Sequence, residues 1–107
     1  MCALNDKYPV DEKFVRILCD VHCAWKDRPP VYRAYVNNEL FTERTWIWRD
    51  QYLEEAFQIQ APPGKYMIRY ELLDPQSAEI RTTNWRVDWG PARVIQGSEI
   101  EIMEHTE

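Results

Sequence analysis

Cys19, His22 and Cys23 make a Cys-x2-His-Cys cluster, with Cys2 and His105 as distant residues that could complete a metal site. Thiolates and imidazoles are the ligands that tetrahedral zinc takes. The local pattern argues against that use. Residues 14–25 alternate as a strand, which aims His22 away from Cys19 and Cys23. The extended backbone also holds the two thiols about 13 Å apart, outside disulfide reach. Small thiols on a core face account for both cysteines better, and no metal or cofactor is expected.

Other chemistry finds equally little purchase. Asp50, Glu54, Glu55, Asp74 and Asp88 could supply calcium ligands, but no Asp-x-Asp-x-Asp-Gly loop arranges them. His22, His105, Ser77 and Ser98 stand in no nucleophile-and-base arrangement. Glu54 and Glu55 point to opposite faces of a strand and cannot share a substrate atom. The three glycines, at 64, 90 and 97, are isolated, so no loop cradles a phosphate. No catalytic residue is assigned and an enzyme is not expected, although a pocket built from several loops would leave no sequence pattern.

Five tryptophans, at 25, 46, 48, 85 and 89, are many for 107 residues. Burial in a small core is one use for them, because aromatic side chains bury large areas. An exposed platform is the other, formed by Trp46, Trp48, Trp85 and Trp89 with Arg44 and Asp88 as polar partners and Arg49, Asp50, Arg81 and Arg86 at its edge. Such faces anchor protein interfaces or stack on sugar rings. Trp46 and Trp48 share a face opposite Ile47, but the pattern does not say which face is inside.

The elements that must carry these residues are strands. In residues 14–25, Val15, Ile17, Cys19, Val21 and Cys23 alternate with Arg16, Asp20 and His22. Pro29-Pro30 ends that run. Residues 31–36 and 39–42 flank Asn37-Asn38 and predict a two-residue hairpin. It sets Val36 against Glu39, Tyr35 against Leu40 and Ala34 against Phe41. A short strand is expected over 44–49. Residues 52–60 contain good helix formers, yet Leu53, Phe57 and Ile59 fit period two and favour a strand. With 66–72 it would form a second hairpin around Pro62-Pro63-Gly64. Residues 80–89 should place Thr83, Trp85, Val87 and Trp89 on one face, and 99–103 form a last strand after a looser stretch.

The expectation is an all-β protein, an antiparallel two-sheet β-sandwich of jelly-roll or immunoglobulin-like type with about seven to nine strands. It should be a single domain over 1–107, with 1–12 a loosely ordered arm. A net charge of −5 disfavours nucleic acid. No run approaches the length needed to span a bilayer, and the first residues do not read as a signal peptide. An odd cysteine count fits reduced thiols and a cytoplasmic setting.

The stretch VYRAYVNNELFTERTWIWRDQYLEEAFQIQAPPGKYMIRYEL carries two particular turns, Tyr35-Val36-Asn37-Asn38 and Pro62-Pro63-Gly64-Lys65-Tyr66. In these it resembles small β-sandwich proteins encoded by tailed bacteriophages of marine cyanobacteria. The order of a Val-Asn turn, an aromatic strand and a Pro-Gly-x-Tyr strand is also similar to sandwich-type carbohydrate-binding modules, an order many unrelated sandwiches share. Calcium-dependent members of that group cluster acids near their last strands, whereas this chain has Asp88 and Glu99 to Glu104 without a ligand loop. The phage resemblance implies a location in the host cytoplasm or the virion. It accords with a non-enzymatic binding or assembly module, with a protein partner or a second copy favoured over a glycan.

Overall fold

The computed structural model describes residues 12–48, 51–76 and 78–104. The arm expected at 1–12 falls outside them except for Glu12, as do Cys2, Arg49, Asp50, Ser77 and His105. Eight strands follow one another: β1 (Lys13–Trp25), β2 (Val31–Val36), β3 (Glu39–Thr45), β4 (Tyr52–Ala61), β5 (Gly64–Leu72), β6 (Ala78–Trp89), β7 (Ala92–Gln96) and β8 (Glu99–Ile102). They form two antiparallel sheets, one ordered β4-β1-β6 and the other β3-β2-β5-β8-β7. This is the two-sheet all-β sandwich that the alternation implies.

The core is the set of inward residues of both sheets. Val15, Ile17, Cys19 and Val21 of β1 and Phe57 and Ile59 of β4 meet Tyr32, Ala34, Ile68, Ile100 and Ile102. Burying each large side chain stabilises the fold by about 1.5 to 3 kcal/mol.

The chain changes sheet five times, and prolines mark four of the crossings. All six prolines among the described residues sit at crossings: Pro29 and Pro30 between β1 and β2, Pro62 and Pro63 between β4 and β5, Pro75 before β6, and Pro91 before β7. A proline has no N–H to continue a ladder, so the chain leaves the sheet there. The second hairpin expected around Pro62-Pro63 is therefore corrected. β4 pairs with β1, while β5 pairs with β2 and β8.

The first hairpin keeps the expected pairs Val36–Glu39 and Tyr35–Leu40. A bulge then sets Ala34 against Thr42 instead of Phe41, and Phe41 leans over Phe57 with ring centroids 4.8 Å apart. Of the two turn asparagines, Asn37 adopts a left-handed φ of 55°. The strand expected at 44–49 is also corrected, because β3 stops at Thr45. The Trp46 amide donates instead to the carbonyl of Pro30 at 2.8 Å. β7, hidden in the looser stretch, pairs with β8 at the far edge.

Candidate functional site

The outer face of the three-stranded sheet is built from the even residues of β1 and β4 and a broken alternation in β6. Arg16 pairs with Trp89, Leu18 with Arg86, Asp20 with Thr83 and His22 with Arg81, with register shifts between Arg16 and Ile17 and between Leu18 and Asp20. Asn84, at a φ of 57°, is an extra residue in the second shift. Each extra residue reverses which side the next side chain faces. Thr83 and Trp89 consequently face outward while Trp85 and Val87 face the core, which corrects the expectation of one shared face.

The tryptophans divide accordingly. Trp46 is fully buried and lies edge-on to Trp48, at 5.1 Å, and to Tyr32, at 6.1 Å. Its indole N–H has no partner among the described residues. Trp48 is half-buried against the core, and its carbonyl accepts the Trp25 indole N–H at 2.8 Å. Trp85 stacks on Phe57 and donates to the Thr82 hydroxyl. Trp89 alone of the four is open, 57% exposed and tilted against Phe14 at 5.6 Å. The four do not assemble into one platform, because three of them fill space between the sheets.

The two polar residues expected beside them are also apart. Asp88 accepts from Arg16 Nε at 2.8 Å on the outer face near Trp89. Arg44 lies opposite Tyr32 on edge strand β3 and points inward, bringing its Nε within 3.6 Å of Glu55. An inward charge on an edge strand discourages pairing with a foreign strand. Glu55 is 6% exposed and accepts hydrogen bonds from Tyr70 at 2.5 Å and Tyr32 at 3.4 Å. The Cys19 thiol lies 3.7 Å from the Tyr70 hydroxyl. Burial pushes that thiol up to about 12, against the pull of the Tyr70 hydrogen bond. Burial and the nearby Glu55 likewise raise the Tyr32 and Tyr70 phenols. The group is thus a satisfied polar knot in the core, with its thiol held protonated rather than as a nucleophile.

His22 stands on the opposite face from Cys19, with Nε2 3.1 Å from the Thr83 hydroxyl and its ring stacked 5.5 Å from Tyr52. It opens onto a cleft of about 650 Å³ at one end of the sheet. The cleft exists because β1 continues to Trp25 alongside β6, whereas its last partner in β4 is Tyr52. Trp25, Gln51, Glu79 and Arg81 line it with His22 and Tyr52. Cys23 also lines it, its thiol raised by desolvation. Sequence reasoning placed Arg81 at a tryptophan edge and missed this cleft. A strand ending three residues short of its neighbour leaves no mark in an alternating pattern.

No protein-family model, no curated protein and no solved structure matches this chain.

Proposed function

We propose that this chain is a non-enzymatic binding or assembly module, a phage accessory subunit, which meets a protein partner or a second copy through the outer face of β4-β1-β6. The supporting observation is the Phe14–Trp89 pair. The two rings touch on a solvent-facing sheet surface and stay 43% and 57% exposed. Large apolar rings left in water beside the Arg16–Asp88 ion pair have the make-up of an interface centre, an aromatic anchor with a polar surround. A second copy docking through the same patch forms a two-fold interface.

Light scattering with size-exclusion chromatography over a range of concentrations tests this reading. Association that rises with concentration and weakens about tenfold or more in Trp89→Ala is the expected result. If the chain stays monomeric throughout, the second-copy form fails. If Trp89→Ala then also leaves capture from host lysate unchanged, the face is not the binding surface.

A further inference from the structure

The cleft beside His22 stands about 26 Å along β1 from Phe14 of the Phe14–Trp89 pair, and its contents differ in kind. Seven of the eight arginines among the described residues are engaged. Arg16, Arg28, Arg33, Arg44, Arg86 and Arg93 each meet a carboxylate, and Arg69 lies 4.2 Å over the ring of Tyr35. Arg81, which lines the cleft, has no such partner among the described residues. Glu79 sits two residues away on the same face without pairing to it. Tyr52, stacked on His22 and 60% exposed, gives the cleft a flat wall.

We infer that this cleft is a binding site for a singly charged carboxylated sugar, a uronic acid residue at the end of or within a short oligosaccharide. A free guanidinium offers two parallel N–H donors, the geometry a carboxylate accepts. The Tyr52 ring supplies a face for a sugar ring, the Gln51 amide can donate to its hydroxyls and the Glu79 carboxylate can accept from them. Glu79 also selects among anions, because it repels a phosphate of higher charge more strongly than a mono-anion, whose hydroxyls can in addition donate to it. The volume lies within the range of small-molecule sites, which bury most of their ligand. The net charge of −5 further disfavours a long polyanion.

The test is a titration of the full chain with galacturonate and glucuronate disaccharides, followed by NMR of the Trp25 indole, His22 and Arg81. Neutral disaccharides of equal size and inorganic phosphate are run alongside. The expected result is a saturable uronate response that weakens about tenfold or more in Arg81→Gln and is partly regained in Arg81→Lys. Neutral disaccharides should bind at the level of Arg81→Gln, and Tyr52→Ala should weaken both classes. No saturable response to either uronate overturns the inference. Equal binding of the neutral disaccharides, or tighter binding of phosphate, overturns it as well. Arg81 is exposed and has no ion-pair partner among the described residues, and a native circular dichroism spectrum for Arg81→Gln keeps a loss of folding from passing as a loss of binding.

Discussion

Trp46 and Cys19 show how single residues are constrained by what surrounds them. Trp46 is sealed between Tyr32 and Trp48 with an indole N–H that meets no acceptor among the described residues, and a buried unpaired donor costs free energy. Trp46→Phe removes that donor and part of the ring, so the two effects offset and urea unfolding should register a loss of about 1 to 2 kcal/mol. Trp46→Ala, which only opens a hole, should cost about 3 to 5 kcal/mol. The Cys19 thiol titrates ordinarily near 9.0 and is raised to about 12 in the fold. The folded chain therefore keeps a proton that the unfolded chain loses, so this contribution is complete below pH 9 and declines as pH rises from 9 to 12. Denaturation curves across that window should show stability falling more gently in Cys19→Val than in the parent. The sequence made the inward position of Cys19 plain through alternation. It left Trp46 undecided, since both faces at 46–48 carry apolar residues and the strand that would have ordered them ends at Thr45.

At the scale of elements, β6 and the turn after it are the most demanding. Gly90 has a φ of 96°, and a Cβ there would stand 2.4 Å from the Phe14 carbonyl and 2.9 Å from the Val15 Cα. Neither backbone can yield without shifting β1, so Gly90→Ala should cost about 3 kcal/mol or more, or prevent folding. Asn84 makes the contrasting case. Its left-handed φ suits glycine, though its amide also donates to Asp20 at 3.2 Å. Asn84→Gly should stay within about 1 kcal/mol in thermal unfolding, while the β-branched Asn84→Val should cost about 2 kcal/mol. Strand existence was legible for β1, β2, β4, β5, β6 and β8 because period two persists along them, and for β3 because the Asn37-Asn38 turn calls for a second arm. Bulges were not, since a single inserted residue looks like any other residue until its partner strand is known. That is why Trp85 and Trp89 were set on one face in the sequence and stand on two in the fold.

For the molecule as a whole, the two-sheet class was legible from many short strands and frequent turns, and the proline crossings could have been read as changes of sheet. The pairing order could not, because it depends on which strands meet after those crossings. Nor could the cleft, which is the space left where one strand stops short. β1 lies in the middle of its sheet, between β4 and β6, yet it precedes every other strand among the described residues. As a polypeptide leaves the ribosome, β1 therefore emerges with its apolar row already complete and waits for Ala61 to gain one neighbour and for Trp89 to gain the other. Until those two strands have emerged, its hydrogen-bonding edges stay open to other nascent chains. Chaperone demand should accordingly peak between the emergence of β1 and that of β4, and it should ease once Trp89 has left the ribosome.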